Sequence, residues 1–260
     1  MPISRSRLKD LRELKRAAGR RAQLHYLVEG VRTLEESLRF DQLPSAVLYA
    51  PARLNDRARS LLDDLEGRGV RVEALPEKQL DSIADTKTPQ GAIAEFPLPD
   101  RKLNADHLAT EKRILVCDGV SDPGNLGTLI RSALAFGFQR VITVGDSADP
   151  HGPKVVRSSV GAVFGLPLTT TEREELQPVL KDLEFQTIAT VKDGDAQRLS
   201  LAKEQRVALV LGSEAHGVHP DWIEASTLRL RIEHTDAVES LNVAIAGSIV
   251  MRDIREAGRE

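Results

Sequence analysis

The 260-residue sequence is poor in the residue types that carry redox chemistry, metal binding and base stacking. Its single cysteine, Cys117, excludes an internal disulfide framework and a multi-cysteine zinc site, and its six histidines are scattered without metal-ligand spacing. Neither a metal nor a redox couple is expected. Aromatic residues amount to 3%, so stacking platforms would not dominate any contact with RNA. No stretch approaches the roughly 18 uninterrupted apolar residues of a membrane span. No apolar run follows the basic residues near the start, so no secretory signal is apparent and a cytoplasmic location is expected. Gly-x-Gly-x-x-Gly and the Gly-Lys-Ser/Thr ending of a phosphate loop are both absent, which argues against a nucleotide-binding oxidoreductase.

What is present is enough apolar material, 41% of residues, for one large domain or two small ones. The net charge of −3 is unevenly spread. Residues 1–22 hold eight cations (Arg5, Arg7, Lys9, Arg12, Lys15, Arg16, Arg20, Arg21) against Asp10 and Glu13, a local net of +6 that leaves −9 for the rest. Leu8, Leu11, Leu14 and Ala18 recur there at helical spacing, which predicts a basic helix with one apolar side. Such a helix either packs on the body with its charges solvated or reaches out to phosphates.

From residue 25, short β-like runs alternate with helical ones. Strands are expected at 26–28, 46–49, 70–75 and 91–96, with helices near 29–39, 55–68 and 77–84, a small α/β domain. Pro97, Pro99 and the polar stretch 100–112 read as a linker. Beyond it, strands are expected at 114–117, 141–144, 165–168, 186–191, 207–211 and 228–232, with helices near 125–136, 154–163, 172–183 and 241–256. This alternation predicts a parallel sheet covered on both faces, with its site at the strand C-termini. The expected organisation is a basic helix over 1–22, a substrate domain over 23–99, the linker, and a second domain over 113–260.

Three segments could carry chemistry. In the first, Asp122 to Arg131, a strand turns tightly into a helix on which Gly127, Arg131 and Ala135 repeat every four residues. A guanidinium flanked by small residues has room to grip a phosphate; the plain alternative makes Asn125 an N-cap and Arg131 a surface side chain. In the second, the apolar run 207–211 ends in Gly212-Ser213-Glu214-Ala215-His216-Gly217, whose glycines permit close approach to backbone groups able to read an adenine edge. The third is Glu239-Ser240-Leu241-Asn242-Val243, entering an apolar helix that Ser240 can cap. Asn242 is the odd residue there, since burial of its amide would require partners.

Taken together, Asn125-x-Gly127-x-x-x-Arg131, Leu211-Gly212-x-Glu214-x-x-Gly217 and Ser240-Leu241-Asn242-Val243 resemble the three motifs of the SpoU/TrmH family of SPOUT RNA methyltransferases. Leu27-Val28-Glu29-Gly30 resembles the start of that family's N-terminal RNA-binding domain, related to a small α/β ribosomal-protein fold. Lys154-Val155-Val156-Arg157-Ser158-Ser159-x-Gly161 is similar to its segment between the first two motifs. The resemblance implies a C-terminal α/β domain with a parallel sheet and a deep trefoil knot, a homodimer, and transfer of a methyl group from S-adenosylmethionine to a ribose 2′-oxygen of RNA, ribosomal rather than transfer RNA. It implies cofactor contacts at Gly212, Ile232 and Leu241, and catalytic roles for Arg131, Asn125, Glu214 and Asn242. Arg131 would stabilise the developing alkoxide or grip the adjacent phosphate, the two asparagines would orient the ribose, and Glu214 would orient Arg131 or a neighbouring group. Glu214 or His216 as proton acceptor is the alternative. Glu233, His234 and Asp236 depart from the family's usual Pro, Met and Gly. The rival readings are transfer RNA as substrate, or an RNA- or ribosome-binding protein that kept the scaffold without transfer; binding of S-adenosylmethionine separates the last from the rest.

Overall fold

The apolar runs of the first hundred residues form a four-stranded sheet. A computed structural model describes residues 3–195, 205–235 and 237–258. Contacts divide the chain into two units, Met1–Pro99 with His151–Gly165, and Asp100–Pro150 with Leu166–Glu260.

The first unit contains, in order, α1 (Arg5–Glu13), α2 (Ala17–Gln23), β1 (His25–Glu29), α3 (Val31–Arg39), β2 (Ala46–Tyr49), α4 (Asp56–Gly67), β3 (Arg71–Ala74), α5 (Glu77–Ile83) and β4 (Ala92–Pro97). Strand order is β1-β4-β2-β3, with β4 antiparallel to both neighbours and β2 parallel to β3. The expected single basic helix is two helices. Arg20 is buried and donates to the carbonyls of Leu14 and Lys15 at 3.0 Å each, satisfying groups that the end of α1 leaves open. Gly19 lies against the Glu13 backbone, where a Cβ would collide, so α2 folds back on α1. Leu8, Leu11 and Leu14 are buried in one cluster with Leu27, Leu48, Leu80 and Ile93. The α1–α2 hairpin therefore contributes to this unit's core rather than standing apart from 23–99.

The second unit contains α6 (Ala105–Leu108), β5 (Arg113–Asp118), α7 (Pro123–Ala135), β6 (Arg140–Val144), β7 (Leu168–Thr170), α9 (Arg173–Asp182), β8 (Gln186–Asp195), β9 (Val207–Gly212), α10 (Pro220–Ala225), β10 (Leu228–Leu230) and α11 (Val243–Ala257). Between β6 and β7 the chain leaves to form α8 (Pro153–Ser159), which packs in the first unit. There His151 meets Tyr26 edge-on with centroids 4.8 Å apart, Phe164 tilts on Phe96 at 4.9 Å, and Gly161 sits tight against Glu36. The helix read at 154–163 thus ends at Ser159 and belongs to the other unit, because its apolar side chains Val155 and Val156 are buried there. The strand read at 165–168 begins at Leu168, after a short 3₁₀ turn over Ala162–Phe164.

The second sheet has six parallel strands in the order β10-β8-β9-β5-β6-β7. Ile114 and Val116 of β5 and Ala208 and Val210 of β9 face a cluster with Leu108, Leu176, Leu180 and Trp222, from α6, α9 and α10. Alternation turns Leu211 to the opposite face, where Gly247 of α11 approaches Leu211 and Leu129 too closely for a side chain of its own. Both faces are covered, as continuous apolar strands require. The stretch 100–112 is not a bare linker: Asn104 caps α6, Leu108 is fully buried, and Glu111 receives a bidentate hydrogen bond from buried Arg140, the shortest contact 2.7 Å.

Candidate active site

Strands β5 and β9 are neighbours and end together, with Asp118 opposite Gly212. From these ends the chain runs into the first and second motif segments, while the third follows β10 by residues 231–242. Each motif is shaped by a local device.

Helix α7 starts two residues earlier than the sequence implies. Pro123 occupies its first position, and the Asp122 carboxylate accepts the Asn125 amide at 2.9 Å. Asp122 is thus the cap, and the Asn125 side chain is released for other work. Gly212 is demanded by its own loop: Ser213 and Gly217 exchange backbone hydrogen bonds at 3.0 and 2.9 Å, and a Cβ on residue 212 would collide with the Gly217–Val218 backbone. Ser213 Oγ also accepts the His216 amide at 3.0 Å, closing a compact turn that presents Glu214. At the third segment Asn242, rather than Ser240, caps α11, accepting from the amides of Ala244 and Ile245 at 2.9 and 3.3 Å.

These devices bring three side chains together. Asn242 Nδ2 donates to Asn125 Oδ1 at 3.0 Å, and Asn125 Nδ2 donates to Glu214 Oε1 at 2.5 Å. The amides are arranged head to tail, with one end anchored on the α11 N-terminus and the other on a carboxylate. All three residues are partly or fully exposed, so the chain borders solvent.

Arg131 is not part of it. It lies exposed on α7 with no hydrogen bond or ion pair among the described residues. Glu214 therefore orients Asn125 and not Arg131. Helix α7 is fastened to α11 by Ser132 and Ser248, whose hydroxyls are 2.7 Å apart, and by Arg255 donating to the Ala135 carbonyl at 2.7 Å.

Of the expected cofactor residues, Gly212 closes β9, while Ile232 and Leu241 are half-buried on the irregular segment between β10 and α11. The strand read at 228–232 stops at Leu230, which leaves the Ile232 backbone outside the sheet. Lys192 of β8 holds Glu239 of this segment at 2.9 Å and keeps its carboxyl below the usual range. Glu233 and His234 are exposed, and Asp236 lies outside the described residues. Among the described residues no group of three His, Cys, Asp or Glu could hold a metal ion.

Sequence reasoning missed Asp118, which is 5% exposed and meets Arg173 of α9 at 3.1 Å. Its signal was a carboxylate closing an otherwise apolar strand. Burial, and after it the charges of Asp118 and Glu214, push the neighbouring Cys117 thiol far up, so it is no nucleophile.

Residues 112–252 match the SpoU rRNA Methylase family, and residues 5–94 match the MRM3-like substrate binding domain. The chain belongs to the SpoU rRNA methylase family. It is 30% identical to the 23S rRNA (guanosine(2553)-2'-O)-methyltransferase RlmP of Bacillus subtilis, over 96% of each chain. It also superposes on the SpoU methyltransferase AviRb of Streptomyces viridochromogenes, solved in complex with AdoMet, at a TM-score of 0.84 and 26% identity, covering 97% of this chain and 98% of that one. An AdoMet-bound rRNA methyltransferase from Sinorhizobium meliloti gives a TM-score of 0.81 at 26% identity, covering 96% and 94%. The substrate-binding match begins at Arg5, within α1, in keeping with a helix built into that unit.

Proposed function

We propose that the protein transfers a methyl group from S-adenosylmethionine to a ribose 2′-oxygen of large-subunit ribosomal RNA. The observation that carries this reading is the Asn242–Asn125–Glu214 chain, in which the three motif segments meet through side-chain hydrogen bonds. The similar proteins support the cofactor and the RNA class: RlmP is a 23S ribosomal RNA 2′-O-methyltransferase and AviRb was solved with AdoMet.

The residues present fit the cofactor. The segment between β10 and α11 offers backbone amides and carbonyls beside half-buried Ile232 and Leu241, the mixture that suits a purine, whose edge takes hydrogen bonds and whose faces take apolar contacts. When bound, S-adenosylmethionine supplies a methyl on a sulfonium, which becomes a neutral thioether as the O–CH₃ bond forms. The remaining work is to place the 2′-hydroxyl and to stabilise charge as its proton leaves. Arg131 has an unengaged, permanently charged guanidinium and serves as the cation for the developing alkoxide or the adjacent phosphate. Asn125 and Asn242, already fixed in orientation, hold the ribose. Glu214 keeps one carboxylate oxygen engaged by Asn125 and the other available to receive a proton.

The same reading includes the trefoil knot, in keeping with a strand order that puts β9 between β8 and β5 and returns β10 to the far side of β8. It also includes a homodimer, supported by Ile245 and Ile249, which are 54% and 37% exposed on α11.

The test is methyl transfer from labelled S-adenosylmethionine to transcribed 23S ribosomal RNA, with 2′-O-methylation read as resistance of the adjoining phosphodiester to alkali. Arg131→Ala is expected to slow transfer by about 10²–10³-fold, the cost of one electrostatic donor, while calorimetry finds the cofactor affinity within about twofold of wild type. No cofactor binding at millimolar concentration, with or without RNA, would overturn the proposal. Methylation confined to transfer RNA would correct its substrate.

A further inference from the structure

The cations of the α1–α2 hairpin divide into two groups by what they touch. Arg7 and Lys15 fall on the side of the apolar Leu8, Leu11 and Leu14 at helical spacing, and both are engaged there. Arg7 pairs with buried Glu95, and Lys15 donates to the Ala84 carbonyl at 2.6 Å. Arg20 is buried on the end of α1. These three hold the hairpin to the body.

Of the other five, Arg16 pairs with Glu13 at 3.5 Å. Arg5, Lys9 and Arg12 recur at i, i+4 and i+7, all exposed, on a stripe of α1 that flanks Leu8 at the edge of its apolar side. Arg5, Lys9 and Arg21 have no ion pair or hydrogen bond among the described residues, and Arg12 touches only the Ser82 hydroxyl, at 3.0 Å. Elsewhere in this unit six arginines are neutralised, Arg39 by Glu36, Arg53 by Glu77 and Asp81, Arg57 by Glu35, Arg68 by Asp64, Arg71 by Glu73 and Arg157 by Asp85, while Arg32 and Arg59 stand singly without a carboxylate among the described residues. The outer row of α1 is thus a set of full charges held without carboxylate partners.

The row is also rigid. Gly19 is packed on Glu13, Arg20 locks the corner, and Gln23 Nε2 donates to the Asp10 carbonyl at 2.9 Å, so α2 braces α1 along its length. Arg5 to Arg12 rise about 10 Å along the helix axis, long enough to reach more than one phosphate of a nucleic-acid strand.

We infer that Arg5, Lys9 and Arg12 form a phosphate-binding row that lies along one backbone strand of the RNA substrate, with Arg21 on the bracing helix as an adjunct. The row reads no sequence; it fixes register and supplies salt-dependent affinity. This rests on RNA being the substrate, and it assigns the contact to one helix face rather than to the unit as a whole.

The test compares the full chain with R5Q/K9Q/R12Q and with R32Q/R59Q/R68Q, which removes the same charge from exposed arginines on α3, α4 and the turn after α4. Binding of transcribed 23S ribosomal RNA is measured from 0.05 to 0.3 M salt, and thermal unfolding is recorded for each protein. The row variant should unfold at the wild-type temperature, flatten the slope of log affinity against log salt by about 2 to 3 units, and bind about 100-fold more weakly at 0.1 M salt. The second variant should keep the wild-type slope to within about one unit. A wild-type slope in the row variant, or equal flattening in both variants, would overturn the row while leaving the methyltransferase reading intact. Failure of the wild-type chain to bind this RNA would overturn the reading beneath it.

Discussion

Asn242 performs two tasks with one amide, and a single substitution separates them. Its oxygen caps α11 and its nitrogen fixes Asn125. Asn242→Asp keeps the acceptor, and aspartate caps a helix as well as asparagine does, so the unfolding free energy should change by less than about 0.5 kcal/mol. The donor is lost, and Asn125 then stands between two carboxylates. Whichever way its amide turns, one carboxylate faces an oxygen, so the partly exposed amide turns toward solvent at little cost in stability and loses its fixed orientation. Methyl transfer should fall by about 10- to 100-fold at unchanged thermal stability, whereas Asn242→Ala should lose the cap as well, about 1 kcal/mol. Equal activity of Asn242→Asp and wild type would show that the amide chain is structural only. Asn242 was legible in the sequence as a polar residue in an odd place and Asn125 as a motif residue or a helix cap, but their partners were not. A sequence displays the capping potential of Asp122, Asn125, Ser240 and Asn242 alike, and only the position of Pro123 and the course of residues 231–242 decide which of them caps.

At the scale of elements, what was legible followed burial. Strands β2, β5, β6 and β9 lie within a residue or so of the apolar runs that announced them, because a strand buried along its length reads as a continuous apolar run. The elements missed are those held by few side chains: α6 with four residues and α10 with six. The α1–α2 break escaped because Arg20 reads as one more exposed cation, whereas it is 3% exposed and closes the corner. That corner makes a specific demand. Leu11 is fully buried among the side chains of the first unit, so Leu11→Ala should destabilise the protein by about 2–5 kcal/mol and lower its thermal midpoint, while the salt dependence of RNA binding stays as in wild type. A chain beginning at Gln23 should lose cooperative unfolding of that unit, because Leu8, Leu11 and Leu14 leave its core together. A midpoint unchanged by Leu11→Ala would mean that the hairpin is a detachable arm after all.

For the whole molecule, periodicity states that a segment has an apolar side but not what that side will face. Residues 151–165 lie within the sequence of the second domain yet group by contacts with the first unit for that reason, and α11 poses the same question in a form that only a second molecule answers. Its Ala244, Gly247, Val250, Met251 and Ile254 are buried, with Gly247 set on Leu129 and Leu211. Ile245 and Ile249, one turn apart, stay exposed on another side of the same helix, and Val238 just before it is 50% exposed. The proposed homodimer would cover this row with its own copy, residue facing residue about a two-fold axis. Sedimentation of the wild-type chain at micromolar concentration should give twice the chain mass of 28.5 kDa. Ile249→Glu places an unpaired charge at the centre of that contact, a burden of about 3–5 kcal/mol that raises the dimer dissociation constant by at least about 100-fold. Because Ile249 is 37% exposed and outside the buried set of α11, the monomer so produced should keep the wild-type far-ultraviolet spectrum. A monomeric wild type would remove the dimer from the proposal. An Ile249→Glu protein that stays dimeric at nanomolar concentration would move the interface away from α11.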